Sequence, residues 1–197
     1  FLGGAKQVGK TTLAKELIAE NFNSSTYYNW DYQPDRKKIN SGELPGSGGL
    51  LIYDEIHKFK KWKNLVKGIY DTHKNEYKIL GTGSARLNIY RKSGDSLQGR
   101  YHYYTLHPFS LAELENIQSY TQPFEEIRFK DQNFQDALET LFTFGGFPEP
   151  LIAQDARVLR RWHNEKLERL FREDIRDVEN IRDISTMKLL GDILPSK

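Results

Sequence analysis

The sequence predicts an α/β fold in which helices cover a parallel β-sheet. Short apolar or aromatic segments alternate with helical patterns from residue 1 to about residue 120, as they do in parallel crossover folds. A glycine-rich turn with the spacing Gly-x-x-x-x-Gly-Lys-Thr separates the first apolar segment from the first helix. From about residue 131 onward the patterns are helical only. We therefore expect a second, helical unit after the sheet.

The predicted strands are rich in aromatic or branched residues, and the predicted helices repeat apolar residues every three or four positions. The strand segments are FL (1–2), STYYNWD (25–31), LLIYDE (50–55), YKILGTGS (77–84) and HYYTLHPF (102–109). The helical patterns cover residues 10–20, 62–70, 111–117, 134–144 and 156–178. Ser110 and Glu113 predict a capping box, and Gly145 predicts a helix end.

Composition describes an ordinary globular protein and excludes several classes of function. The 197 residues are 38% hydrophobic and 28% charged, which is enough for a sizeable core. The formal net charge of +2 is far from that of a dedicated nucleic-acid-binding protein. The absence of cysteine excludes disulfides and thiolate metal sites, and no apolar run approaches the roughly 20 residues of a membrane span. We expect a cytoplasmic protein without a membrane segment.

Residues 4–11, GAKQVGKT, match the pattern of a phosphate-binding loop. Glycines at both ends allow the backbone to curl until several N–H groups point at one anion, and the following helix adds the positive end of its dipole. In such a loop Lys10 reaches the β- and γ-phosphates, and the Thr11 hydroxyl holds Mg²⁺. A glycine-rich turn without a ligand is the alternative. The predicted nucleotide-binding residues are Gly4, Gln7, Val8, Gly9, Lys10, Thr11 and Thr12.

Two acids end the segment LLIYDE and supply the metal side of the predicted site. Asp54 follows four largely apolar residues, where a carboxylate binds the water shell of the metal ion. Glu55 is placed beside it to polarise an attacking water, which is the work of a general base. Paired acids at a strand end are otherwise simple turn residues. Together with the loop, they indicate nucleotide hydrolysis rather than binding alone.

Five motifs occur in one order along the chain: GAKQVGKTTL, LLIYDEIHKF, ILGTGSA, SLQGR with LHPFSLAE, and GGFPEP. With this set the chain resembles the prokaryotic AAA+-superfamily ATPases that usually carry an uncharacterised C-terminal domain. The resemblance implies a P-loop NTPase with a five-stranded parallel sheet of order 5-1-4-3-2, an ATPase core at residues 1–130 and a helical lid at residues 131–197. It also implies ATP and Mg²⁺ as ligands. We expect a truncated N-terminal strand and a C-terminal domain beyond the lid.

Three further residues match functional positions of that superfamily. Thr82 and Ser84 follow the fourth strand, where a polar sensor of the γ-phosphate holds the attacking water; Thr82 is preferred, and turn chemistry is the alternative. Arg100, in LQGR, matches a Gly-Arg before the fifth strand. An arginine that reaches the γ-phosphate from the same chain or from a neighbouring subunit neutralises charge in the transition state. A surface arginine beside a strand is the other interpretation.

Some residues have both a functional and a structural interpretation. Asp31 either orients metal-bound water or caps a turn, while His57 is better explained as a structural histidine. The lysines of KFKKWKNLVK (58–67) suggest nucleic acid, but Trp62 belongs to the buried stripe of an amphipathic helix whose lysines face solvent. Nucleic acid is therefore a weakly supported partner. GGFPEP (145–150) is either a hinge near the nucleotide or a stiff loop.

The predicted function is Mg²⁺-dependent hydrolysis of ATP coupled to movement of a C-terminal domain. In this hypothesis Arg100 comes from the same chain or, in a homo-oligomer, from a second copy, and an unknown protein client receives the movement. The alternative is a nucleotide-gated switch or interaction module in which slow hydrolysis resets partner binding. A kinase is a third interpretation, which the adjacent pair Asp54 and Glu55 argues against.

Overall fold

The structure is a computed structural model that describes residues 1–83, 97, 99–117 and 133–169. The chain divides into two compact units, Phe1–Pro108 and Phe109–Lys197. The predicted boundary between residues 130 and 131 lies outside the described residues and stays a prediction. No helix in the described ranges is long and apolar enough to cross a bilayer.

The first unit is an α/β arrangement of parallel strands and helices, as predicted. Its strands are β1 (Leu2–Gly4), β2 (Ser25–Asn29), β3 (Gly49–Asp54), β4 (Tyr77–Gly81) and β5 (Tyr104–Leu106). A parallel three-stranded sheet has β3 between β2 and β4, and β1 pairs in parallel with β5. Asn29 of β2 lies opposite Asp54, and Tyr53 lies opposite Gly81. The carboxyl ends of these strands therefore meet at one edge.

The prediction of one five-stranded sheet in the order 5-1-4-3-2 is corrected by the structure, in which the described strands form two sheets. Between the sheets there is a single parallel bridge from Leu2 to Thr82, and the N–H of Gly83 donates to the Leu2 carbonyl at 3.3 Å. On its other side β1 pairs with β5 over all three of its residues. Residues of β1, β4 and β5 also line a cavity of about 610 Å³.

Three described helices connect the strands from β1 to β4. Helix α1 begins with Lys10–Thr12 and continues through a π-helical segment, Leu13–Ile18, and a 3₁₀ turn, Ala19–Asn21. Helix α2 (Gln33–Ser41) has no counterpart among the predicted helices because it is mostly polar; a proline in its first turn begins it. Helix α3 (Trp62–His73) confirms the predicted amphipathic helix.

Strand β3 is the centre of the core. Its last five residues, 50–54, are buried because helices cover both faces of the sheet. On one face Leu51 and Tyr53 pack with buried residues of α3, and on the other Ile52 packs with Ala14 of α1. Each fully buried side chain of this size contributes about 1.5–3 kcal/mol. This packing fixes the end of β3, and with it the carboxylate that follows Tyr53.

The described part of the second unit is helical, in agreement with the predicted patterns. Its helices are α4 (Leu111–Leu114), α5 (Gln135–Phe144), α6 (Pro148–Ala153) and α7 (Ala156–Arg169). Ser110 and Glu113 form the predicted capping box, and Gly145 ends α5 with a φ of 73°. The motif GGFPEP therefore contains a helix end and the first turn of α6. Trp162 of α7 is buried, with its ring 4.8 Å from that of Phe147.

Candidate functional site

The turn from β1 into α1 has the backbone of an anion-binding loop. Gly4, Gln7 and Gly9 have positive φ angles of 149°, 64° and 95°. A Cβ at position 4 would collide with the carbonyl oxygen of Leu106 in β5, so this position requires glycine. Within the loop Val8 is buried and Gln7 is exposed. Turns of this kind direct successive N–H groups into one concavity.

The start of α1 adds backbone N–H groups to this loop. Gly9 precedes the helix, and no side chain caps the first turn, Lys10–Thr12. The first N–H groups of a helix have no partner within the helix, so they bind anions together with the positive end of the helix dipole. Thr11 and Thr12 are exposed at this turn, where a ligand can reach them.

The Lys10 ammonium lies inside the loop. It donates to the carbonyl oxygen of Gly4 at 3.2 Å and to that of Ala5 at 2.7 Å, and the residue is only 7% exposed. The loop carbonyls stabilise the charge without neutralising it, since they carry only partial charges. A phosphate bound by the loop amides would therefore meet a full positive charge at this point.

The Asp54 carboxylate receives four hydrogen bonds from neutral donors. Oδ2 accepts from the Thr11 hydroxyl at 2.9 Å and from the Tyr27 hydroxyl at 2.7 Å. Oδ1 accepts from the Thr82 hydroxyl and from the Glu55 backbone N–H, the latter at 3.1 Å. A buried carboxylate needs such donors because an isolated buried charge is costly. The group is therefore oriented while its negative charge remains.

Tyr27 is a member of this cluster that sequence reasoning misses. Burial, followed by the hydrogen bond to Asp54, raises the pKa of Tyr27, so its hydroxyl stays protonated and remains a donor. The Lys15 ammonium lies 4.6 Å from the centre of its ring. Alternation along β2 was the available signal for Tyr27. Tyr27 is two residues before Asn29 and therefore lies on the same face of the strand, and Asn29 pairs with Asp54. Alternation alone does not show which strand lies beside β2, although the strand order implied by the resemblance has β3 there.

The oxygen donors at this point suit a magnesium ion. Thr11 Oγ1 and Asp54 Oδ2 lie 2.9 Å apart, and Mg²⁺ prefers hard oxygen ligands, typically one or two carboxylates together with substrate phosphates. Within the described residues no group of three or more His, Cys, Asp or Glu side chains could hold a metal ion. The donor set fits an ion that binds together with a nucleotide.

Glu55 follows Asp54 directly and has different surroundings. Its φ of 55° and ψ of 27° are left-handed, which is uncommon for a residue other than glycine, and they turn the chain into a 3₁₀ segment, Ile56–Lys58. Its Oε2 lies 3.3 Å from Lys58 Nζ and 3.7 Å from Nε2 of the buried His57. Backbone strain of this kind is concentrated at functional sites.

Lys58 connects the ends of β2 and β3. Its Nζ lies 2.6 Å from Asp31 Oδ2 and 3.3 Å from Glu55 Oε2. Burial lowers the pKa of Lys58, but the hydrogen bond to Asp31 and the charges of Glu55 and Asp31 outweigh burial and raise that pKa above its ordinary value. The Asp31 side chain is thus an ion-pair partner of Lys58.

The structure brings Thr82 to the cluster and leaves Arg100 elsewhere. Thr82 is fully buried, and its hydroxyl hydrogen is committed to Asp54. Arg100 Nε donates to Asp71 Oδ1 at 2.9 Å. Asp71 is in the last turn of α3, which runs back from the carboxyl end of β3 to the start of β4, so this pair lies at the opposite edge of the sheet. Ser84 lies outside the described residues.

The lysine-rich segment contains a buried aromatic residue, as predicted. Trp62 is 6% exposed and belongs to the core, whereas Lys60 and Lys61 are exposed. The Lys63 ammonium lies 5.8 Å from the centre of the Trp62 ring. Trp62 is therefore occupied in packing and is not available for stacking on a base.

Comparison with known proteins gives two matches. A family model described as an AAA domain matches residues 1–115, a range that includes the loop and both strand-end acids. The uncharacterized protein MJ1544 of Methanocaldococcus jannaschii is 26% identical over 204 aligned residues. That alignment covers 97% of this chain and 45% of the archaeal protein, so the chain spans less than half the length of this relative.

Proposed function

The chain belongs to the AAA domain family, a family of AAA-type ATPases, and from this premise we propose that it binds ATP with Mg²⁺ at the loop and hydrolyses it. The observation that carries the proposal is the hydrogen bond of 2.9 Å from Thr11 to Asp54, which are 43 positions apart. It joins the residue after the loop lysine to the acid at the end of β3. These are the two groups that a metal ion on the phosphates requires.

The residues of the loop and of the strand ends have separate roles in the proposed reaction. Lys10 and the amides at the start of α1 bind the phosphates. When bound, Mg²⁺ neutralises charge on the β- and γ-phosphate oxygens, and Thr11 and Asp54 would hold it. Thr82 acts by orienting Asp54. The backbone of the loop forms the cradle, with the residues Gly4, Gln7, Val8, Gly9 and Thr12.

Glu55 is the proposed general base. It accepts a proton from a water molecule while the water oxygen forms a bond to the γ-phosphorus. The bond from the γ-phosphorus to the bridging oxygen then breaks, and ADP and inorganic phosphate are the products. Glu55 is suited to this step because its side chain is 22% exposed, so water can reach it, whereas Asp54 is buried.

Substitution of the base tests the proposal. We expect Glu55→Gln to lower ATP turnover about 10²–10⁴-fold, the usual contribution of a general base, while ATP affinity is retained. Phosphate release and binding of a fluorescent ATP analogue would be measured on the same samples. The matched control is Glu20→Gln, an exposed glutamate at the end of α1, which should hydrolyse ATP at the parent rate.

Lys10→Ala provides the second arm of this experiment. Because Lys10 has its ammonium inside the loop, where the phosphates are proposed to bind, we expect this variant to lose ATP binding as well as turnover. Parent turnover in Glu55→Gln would show that the base is assigned wrongly. Parent affinity in Lys10→Ala would show that the nucleotide binds elsewhere.

The position of Arg100 bears on which subunit supplies the arginine in the proposed hydrolysis. Since Arg100 is paired with Asp71 at the opposite edge of the sheet, its charge does not serve the site of its own chain. We propose that a neighbouring copy supplies Arg100, and that ATP loss moves a C-terminal domain toward a protein client. Turnover per subunit should then rise with protein concentration in the parent and stay constant in Arg100→Met. A constant parent rate would exclude an arginine supplied by a second subunit.

A further inference from the structure

The contacts of Lys58 and His57 with the proposed base are to one of its two carboxylate oxygens. Lys58 Nζ at 3.3 Å and His57 Nε2 at 3.7 Å both lie against Oε2 of Glu55. Within the described residues, no hydrogen bond is donated to Oε1. One oxygen is therefore fixed by neighbouring side chains, and the other is left to accept a proton from water.

The position of Lys58 is itself determined by contacts on both sides. Its backbone N–H donates to the Glu55 carbonyl at 3.1 Å, which sets the 3₁₀ turn that brings the two side chains together. Its ammonium is anchored at 2.6 Å on Asp31, which follows β2. The neighbours of this ion pair, Trp30 and Phe59, stack with ring centres 4.7 Å apart. Two adjacent contacts, the ion pair and the ring stack, therefore join the end of β2 to the turn after β3.

From this geometry we propose that Lys58 is a positioning residue for hydrolysis: it holds Glu55 so that Oε1 faces the attacking water, and it takes its own position from Asp31. The inference rests on the proposed function, because it requires Glu55 to be the base. The contacts described for Lys58 are with the two acids and not with the phosphate loop. Its loss should therefore act on kcat and leave nucleotide binding intact.

The test is the kinetics of Lys58→Met, which removes the charge and retains the aliphatic chain. We expect kcat to fall about 10- to 100-fold, as for a displaced reacting group, with KM and ATP-analogue affinity within about twofold of the parent. Lys58→Arg keeps a cation that can bridge two carboxylates and should restore most of kcat. Lys60→Met is the matched control because Lys60 is an exposed lysine two positions away, and it should have the parent kcat.

A double-mutant cycle shows whether Lys58 acts through Glu55. In single-turnover measurements, Lys58→Met should change the residual rate of Glu55→Gln less than about twofold, because the group that it positions is absent. An equal loss in both backgrounds, an unchanged kcat in Lys58→Met, or an increased kcat would overturn the inference. A parent protein that binds but does not hydrolyse ATP would overturn the proposed function and this inference together. The three outcomes for Lys58→Met would overturn the positioning role and leave the proposed hydrolysis intact.

A crystal structure of Lys58→Met gives a measurement that does not depend on turnover. We expect the Glu55 carboxylate to leave its place 3.7 Å from His57 Nε2, or to adopt several rotamers. Thermal unfolding of all variants would identify any loss of folding, and Lys58→Arg then tests the same contact in a folded protein. A Glu55 side chain that keeps its parent position without Lys58 would contradict a positioning role.

Discussion

Asp54 and Glu55 are neighbours in sequence, yet the groups that surround their carboxylates are of opposite kinds. Asp54 is 5% exposed and accepts from three hydroxyls and one amide. Glu55 has a side chain that is 22% exposed and rests against an ammonium and an imidazole. We name the two groups after the exposure of their acid: the buried half is Asp54 with its side-chain donors Thr11, Tyr27 and Thr82, and the exposed half is Glu55 with Asp31, Lys58 and the buried His57.

The difference indicates what each acid can do. Neutral donors fix the Asp54 carboxylate and leave its charge available to a cation, which is what a metal position requires. The ammonium of Lys58 contacts Glu55 at the end of a long side chain that is 43% exposed, and exposed ion pairs contribute little to folding stability. The buried half is therefore expected to contribute to folding stability, and the exposed half chiefly to the chemical step.

The largest effect on stability should come from the buried half. Thr82→Val retains the shape of a fully buried side chain and removes one donor to Asp54. Because this leaves a buried carboxylate oxygen with one donor fewer, we expect the free energy of unfolding to fall by about 1–3 kcal/mol. Urea denaturation would measure it.

A second threonine provides the control for this change. Thr72→Val removes an exposed hydroxyl of α3 that donates to the Gly68 carbonyl at 2.7 Å, and exposed substitutions of this kind usually stay within about 0.5 kcal/mol. If Thr82→Val cost no more than Thr72→Val, the buried half would not be a stabilising cluster, and the comparison between the two acids would fail.

Much of the buried half could be predicted from the sequence. The loop and the acid at the end of β3 have fixed spacings to the strands that precede them, so Lys10, Thr11 and Asp54 follow from local pattern. Thr82 follows in the same way, because it is the first residue after β4. Tyr27 was missed although the strand order that the resemblance implies has β2 beside β3, because the register of that pairing, which brings Tyr27 to Asp54, is not given by sequence alternation.

The exposed half depends on non-local geometry to a greater degree. Asp31 and Lys58 are 27 positions apart, and they meet only because β2 and β3 end side by side and a left-handed residue turns the chain after Asp54. The division of the described strands into two sheets was also beyond the sequence pattern. Strand periodicity does not show that the three residues of β1 form only one bridge with the segment after β4.

The smallest effect on the free energy of unfolding should come from a substitution in the exposed half. Asp31→Asn removes the closest ion pair near Glu55, but the side chains of Lys58 and Asp31 are 43% and 52% exposed. Exposed pairs contribute about 0–1 kcal/mol, because water screens their attraction and ordering long side chains costs entropy. We expect urea denaturation of Asp31→Asn to show a loss of unfolding free energy within that range, well below the loss in Thr82→Val. At high salt the loss caused by Asp31→Asn should be smaller still, because salt screens the ion pair in the parent. A loss equal to that of Thr82→Val would mean that the ion pair is structural, and that the two halves of the site do not differ in the way their surroundings indicate.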